Sequence, residues 1–239
     1  MSGFFSRFRR PRRSSRKPEP RTTSPRHKNP QPDLGDLAPL VSRPLLNVIL
    51  ARGGGGPEGD VALMDAGGVS MAARVSFAVS QLGDVLVVGR PGTLAGVAAV
   101  PYYRRDSSTT LTGLVTGMRA AIDLSPPGVK PLILAVGVGQ PYVRVETLRF
   151  LLAFAGDNEA VIPVDEDGRQ MTCAVYPSAW LDRAQRSDGD DQSLEEFLGT
   201  VKVREISPEV WRSWGEDGRS WYRVSSAETM EEAVRRFGP

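Results

Sequence analysis

From Leu45 onward, short apolar runs alternate with stretches whose apolar residues recur at helical spacing. Leu45-Leu46-Asn47-Val48-Ile49-Leu50 is followed by Ala51, Arg52 and four glycines, Gly53 to Gly56, the form of a strand buried on both faces. A helix is predicted near Ser70–Gln81, then a strand over Asp84–Gly89 and a weak one over Val97–Val100. Thr112–Ile122 and Val145–Ala155 read as helices, the latter with Leu148, Leu151 and Leu152 at helical spacing, and Pro131–Val136 as a strong strand between them. Ala160–Val164 and Met171–Tyr176 read as strands separated by Asp165-Glu166-Asp167-Gly168, a polar turn with glycine where positive φ is easy. Ser178–Gln185, Ser193–Leu198 and Ala227–Phe237 read as helices, Val201–Ile206 and Trp221–Val224 as strands, and residues 187–191 as a surface loop.

Alternation of this kind predicts an α/β fold: a Rossmann-like, mostly parallel sheet with helices on both faces. In such sheets a ligand sits beyond the carboxyl ends of the strands. That directs attention to the residues after Leu50, after Val88 and after Val136. Residues 1–42 break the pattern. Pro11, Pro18, Pro20, Pro25, Pro30 and Pro32 forbid a continuous helix there, and few apolar groups offset the entropy of ordering. The division expected is a disordered tail over 1–42 and one folded domain over 43–239.

Charge sharpens that division. Of 30 basic and 28 acidic groups, residues 1–28 hold ten and one, leaving 20 and 27 for the rest, so the net +2 hides a basic tail on a mildly acidic body. Phe4, Phe5 and Phe8 interleave with Arg7, Arg9 and Arg10. That mixture suits a protein partner or an anionic membrane surface. The acidic body gives no reason to propose nucleic-acid binding. No apolar run approaches the ~20 residues of a membrane span, and a single cysteine, Cys173, excludes an internal disulfide. A cytoplasmic location is expected, with membrane association through the tail as the variant.

Candidate chemistry is concentrated near the glycines. A strand, a glycine-rich loop and then a helix let backbone amides approach a phosphate with no Cβ in the way. The loop Arg52 to Asp60 spells neither a dinucleotide fingerprint nor a Walker loop, so phosphate contact and a plain connector both remain open. His27, the sole histidine, lies in the tail, which excludes a histidine-centred triad or zinc site in the body. Cys173 lies in an apolar strand and reads as a buried, inert thiol. Asp165-Glu166-Asp167 reads as a solvated turn, and Trp211, Trp214 and Trp221 as core packing or a hairpin.

Val48-Ile49-Leu50-Ala51-Arg52-Gly53 resembles the opening V-I-L-A-G-G of the molybdenum cofactor guanylyltransferases, the MobA-like NTP transferases. The likeness keeps order and spacing over roughly residues 45–237. Asp60-Val61-Ala62-Leu63 falls where that family has D-K-A-L, and Asp106 precedes Leu111-Thr112-Gly113-Leu114 as an Asp precedes its G-P-L-A-G-L segment. Gly139-Gln140-Pro141-Tyr142-Val143 matches D-M-P-Y-L, and Trp221–Ala233 matches the closing D-V-N-T-P-E-D-L. The resemblance implies a site for GTP and Mg²⁺, with Ala51, Arg52, Gly53, Gly54, Gly55, Gly56, Asp60, Asp106, Gly113 and Gln140 toward the nucleotide.

The same resemblance exposes departures. The opening loop is one residue shorter and lacks the family's Arg, Glu58 adds negative charge there, the Lys position is Val61, the metal Asp position is Gly139, and the late Asn position is Ser225. Phosphoryl transfer depends on positioned cations and a carboxylate-held magnesium. Losing one such contact costs ~3–4 kcal/mol of barrier. The expectation is a catalytically impaired relative that acts as a binding or regulatory protein and retains nucleotide or cofactor binding. The alternative is an active nucleotidyltransferase with a rearranged site, using Arg52 and Asp106, with Asp106 as metal carboxylate. In that alternative Asp60 and a neutral oxygen from Gln140 assist.

Overall fold

The structure, a computed structural model, describes residues 44–51, 61–89, 99–100 and 109–238. Eight strands form one sheet: β1 (Leu45–Ala51), β2 (Val85–Gly89), β3 (Ala99–Val100), β4 (Leu132–Gly137), β5 (Ala160–Asp165), β6 (Gly168–Arg169), β7 (Cys173–Pro177) and β8 (Val203–Ile206). Their spatial order is β3-β2-β1-β4-β7-β5-β6, with β8 paired to β5. The helices are α1 (Met71–Ser80), α2 (Thr110–Leu124), α3 (Val145–Ala153), α4 (Leu181–Gly189), α5 (Leu194–Leu198), α6 (Pro208–Ser213) and α7 (Ala227–Phe237).

The expected α/β sheet with two covered faces is present, and alternation along each strand explains it. On β1, Leu46, Val48 and Leu50 pack with α2, α4 and α5, while Ile49 and Ala51 pack with α1, α3 and α6. β4 divides likewise, Ile133 and Ala135 to the first layer and Leu132, Leu134 and Val136 to the second. A strand whose successive side chains enter two apolar layers has no polar face. This is why these runs are continuously apolar.

The sheet is mixed rather than uniformly parallel. β1 runs parallel to β2 and β4, β2 to β3 and β5 to β8. β7 runs antiparallel to both β4 and β5. The chain leaves β4 through α3 and enters β5 one position too far, and β7 fills the gap. Only residues 166–172 separate β5 from β7, with β6 among them, too few for the dozen or more residues of a parallel crossover.

Three expected elements differ. Residues 187–191 are not a plain surface loop, because α4 continues to Gly189 and Asp188 is buried. The Asp188 carboxylate accepts from Thr112 Oγ1 at 2.6 Å, so it faces the electropositive first turn of α2. Trp221–Val224 is not a strand; its one sheet-like bond is Val224 N–H to the Gly139 carbonyl, 2.7 Å. Residues 178–185 begin as a 3-10 turn, Ser178–Trp180, before α4. The tail 1–42 and Val97–Ala98 lie outside the described residues. No described helix is long and apolar enough to cross a membrane.

Two contacts set how the sheet presents its carboxyl ends. α2 lies so close on β1 that a Cβ at Gly117 would meet Val48 Cγ1 and Cγ2 at 2.8 and 2.9 Å. The Glu216 carboxylate, 3% exposed, accepts from the hydroxyls of Thr147 and Ser220 and from the backbone N–H groups of Asp217, Gly218 and Ser220. Arg144 continues the dock: its N–H donates to Ser220 Oγ, and its guanidinium to the Gly215 carbonyl. Trp221 then enters the core edge-on to Trp211, centroids 5.1 Å apart. Glu216 thereby fixes the segment that leads into residues 222–225.

Glu216→Ala orphans two hydroxyls and three N–H groups, and is expected to cost at least about 3 kcal/mol in urea unfolding. Gly117→Ala sets about 1–3 kcal/mol of overpacking against about 1 kcal/mol of helix propensity. The expected result is a net loss that shrinks in a Val48→Ala background, measured as a double-mutant cycle. Asp217 is held down to about 2 chiefly by the Arg219 guanidinium. A depressed carboxyl adds stability above its ordinary value near 3.8 and loses it as pH falls toward 2. Between those values, the unfolding midpoint should fall more steeply for the native chain than for Asp217→Asn.

Candidate functional site

A cavity of about 350 Å³ opens beyond the carboxyl ends of β1 and β4, where the strand order predicts a ligand crevice. Leu50 comes to it from β1, and Gly137, Val138, Gly139 and Gln140 from the turn after β4. Thr109, Thr110 and Gly113 bring the first turn of α2, and Thr172 precedes β7. The remaining wall is Val61 with Arg223, Val224 and Ser225. No described lining residue is an aspartate or glutamate.

Several residues singled out from the sequence meet here. Gly113 and Gln140 line the cavity, while Ala51 is buried at the end of β1 with its methyl in the apolar layer under α1. Arg52, Gly53, Gly54, Gly55, Gly56, Asp60 and Asp106 lie outside the described residues. Three departures from the family pattern, Val61, Gly139 and Ser225, line this one cavity although up to 164 residues of chain separate them.

The close approach at Gly139 is decisive for what the site can hold. Val224 N–H donates to the Gly139 carbonyl at 2.7 Å, and a Cβ on Gly139 would stand 2.8 Å from the Val224 carbonyl oxygen. Backbone therefore fills the place into which a side chain at 139 would project. Gln140, 2% exposed, uses its Oε1 to accept Gly137 N–H at 2.9 Å. The same N–H also donates to the Thr172 carbonyl at 2.7 Å, so it is shared between two acceptors. The amide nitrogen makes no hydrogen bond to a described residue. A hard divalent ion needs oxygen ligands. The described lining supplies no carboxylate to anchor one.

Thr109 Oγ1 accepts Thr112 N–H and the Thr109 carbonyl takes Gly113 N–H, closing the first turn of the 15-residue α2 at the cavity wall. Such an end carries a partial positive charge. Arg223 was not singled out from the sequence, yet it stands in the closing segment where the family pattern D-V-N-T-P has its Asp. Its signal was that reversal of charge. Arg223 makes no ion pair or side-chain hydrogen bond with a described residue, and its Cγ lies 3.7 Å from the Cβ position of Gly139.

The other sequence candidates have structural roles. Cys173 is fully buried, and burial, with the Glu216 charge second, pushes its thiol far above the ordinary range. Asp165 Oδ1 accepts from Asp167 N–H and Gln170 Nε2, so the acidic turn closes on itself. Among the described residues, no three His, Cys, Asp or Glu side chains are grouped to hold a metal. The turn instead borders a second cleft of about 560 Å³, with Trp211 and Trp221 in its wall and Arg223 shared between the two cavities.

Similarity to solved structures is consistent along most of the chain. A molybdopterin-guanine dinucleotide biosynthesis protein A from Archaeoglobus fulgidus is 15% identical and superposes with a TM-score of 0.65, covering 80% of this chain and 97% of its own. A 2-C-methyl-D-erythritol 4-phosphate cytidylyltransferase from Thermus thermophilus gives 16%, 0.58, 81% and 98%. A nucleotidyl transferase from Methanothermobacter gives 18%, 0.59, 81% and 99%. At these identities the likeness speaks for the fold alone. No curated protein sequence matches the chain. The MobA-like NTP transferase domain, however, matches residues 48–205, most of the folded part. With the strand order, the crevice and that match together, the chain belongs to the MobA-like NTP transferase family.

Proposed function

We propose that this protein is a nucleotidyltransferase-fold binding or regulatory protein, impaired in metal-assisted nucleotidyl transfer and still able to take a nucleotide or cofactor phosphate into its crevice. The observation that carries the reading is Gly139 against Val224. The resemblance puts a metal-holding aspartate at 139, and here the position lacks a side chain and the space for one is filled by a backbone carbonyl at 2.8 Å. Val61 at the Lys position and Ser225 at the Asn position line the same cavity and support it. Without a carboxylate-anchored divalent ion and its companion lysine, the charge developing on a leaving pyrophosphate has little to steady it. The basic segment 1–28, with its three phenylalanines, is the part we assign to a protein partner or anionic membrane surface, on charge and composition alone.

The reading predicts that the purified full chain, given GTP, Mg²⁺ and a molybdopterin-type acceptor, releases pyrophosphate no faster than a protein-free control. Metal-dependent release at enzyme-like rates would defeat it, and loss of that release in Arg52→Ala and Asp106→Ala variants would then identify a rearranged active site. The carrying contact has its own check. Gly139→Ala should lower stability by about 1–3 kcal/mol through overpacking, read from the unfolding midpoint, whereas an unchanged midpoint would mean that the carbonyl does not close the space.

A further inference from the structure

Apart from the two apolar layers of the sheet lies a third, smaller cluster that joins α7 to the crevice. Met230 and Ala233 enter it from α7, Val224 from the crevice wall and Tyr142 from the turn after β4, with Val61 and Phe237 packed against them. Val61 and Val224 both line the crevice. No α7 residue enters either layer of the sheet. The helix therefore rests on the crevice wall.

Both ends of α7 are fastened beside the Gly139–Val224 approach. At its start, Thr229 Oγ1 accepts the N–H groups of Ser225 and Ser226, each at 2.9 Å, which bonds the crevice residue Ser225 to the first turn. At its end, the Phe237 ring centroid lies 5.4 Å from that of Tyr142 and 5.3 Å from that of Tyr222. Tyr142 stands just after Gly139 in the chain and Tyr222 just before Val224. One ring thus bridges the two segments whose approach shapes the crevice. The guanidiniums of Arg219 and Arg236 lie 5.3 and 5.0 Å from the same centroid, within cation–π range. Otherwise α7 is held lightly: it buries two of its eleven residues, whereas α2 buries nine of fifteen. An element with so few buried contacts opens locally at a smaller free energy than the core.

We propose that α7 is a strap on the crevice, fastened by Phe237, which opens as a unit short of global unfolding and releases residues 223–225 from the turn after β4. The coupling follows from continuity. When α7 detaches, Val224 loses Met230 and Ala233 from its cluster and Ser225 loses the Thr229 hydroxyl. Trp221 stays in the sheet layer, so the segment pivots after it, and the Val224 N–H bond to the Gly139 carbonyl breaks. The inference goes beyond the reading of the crevice as a phosphate pocket and does not rest on it.

Native-state hydrogen exchange of the full chain, without ligand and across low denaturant concentrations, tests the strap. The amides of residues 230–237 and the Val224 N–H should share one opening equilibrium. That opening should be easier and less denaturant-dependent than the one exposing β1 and β4. Phe237 is half-buried, so its variants should fold. Phe237→Ala should speed exchange in α7 and at Val224 by the same factor, about tenfold or more, whereas Phe237→Tyr keeps the ring and should stay near the native rates. Met230→Ala loosens the helix at its middle and should act in the same direction as Phe237→Ala. Ile133→Val, in the layer under α2, should speed exchange in β1 and β4 and leave α7 and Val224 unchanged. Exchange of α7 only together with β1 and β4, or a native rate at Val224 in Phe237→Ala, overturns the proposal. None of these measurements involves nucleotide, so failure of the phosphate-pocket reading would show separately, as absence of GTP binding.

Discussion

The crevice depends on one backbone approach, between the turn after β4 and the segment that follows Trp221. Gly139 and Val224 come within hydrogen-bonding distance in one direction and leave no room for a Cβ in the other. Glycine makes this approach freely, whereas any residue with a Cβ would force the Val224 carbonyl to shift. Residues 222–225 keep their place because the preceding turn is clamped. Glu216 gathers five donors from that turn and from α3, and Trp221 is driven into the apolar layer. A carboxylate some distance from the crevice thus governs what the crevice can contain.

Electrostatics follow from that geometry. In a metal-dependent transferase the protein brings carboxylates, and the metal brings the positive charge that meets the phosphates. Here the described wall carries no carboxylate, and Arg223 and the first turn of α2 are among its residues. The arginine occupies the sequence position of an acidic residue in the family pattern, while the aspartate position has become glycine. The two changes run in the same direction, each removing negative charge from the described wall.

The sheet explains why these residues meet. β1 and β4 are adjacent and parallel, so their carboxyl ends open on the same side and deliver Leu50 and the 137–140 turn together. α2 packs on β1 tightly enough that Gly117 has no room for a side chain, which sets its amino terminus at the cavity wall. β7, entering antiparallel between β4 and β5, brings Thr172 to that end from the start of a strand rather than from its finish.

The class of fold was legible in the chain because a strand buried on both faces must be continuously apolar, and Leu45–Leu50 and Pro131–Val136 are. Most helices were legible from apolar spacing, and the structure caps three of them with Ser70, Ser193 and Ser226. α6, which begins after Ser207 with Pro208 and Glu209, was not among the elements expected from the sequence. Trp221–Val224 has strand composition but makes a single sheet-like bond, because a neighbour's position decides whether an apolar run finds a ladder. Gln140 could be marked as a site residue from its alignment. That its Oε1 meets the Gly137 N–H, three residues away in sequence but placed by the turn, was visible only in the structure. Sequence determined which side chains are present and which periodicities they obey, since those are properties of neighbours along the chain. Tertiary structure alone decided that Val61, Gly139, Arg223 and Ser225 share one volume, because the charge of a cavity is a sum over residues that only folding brings within reach of one another.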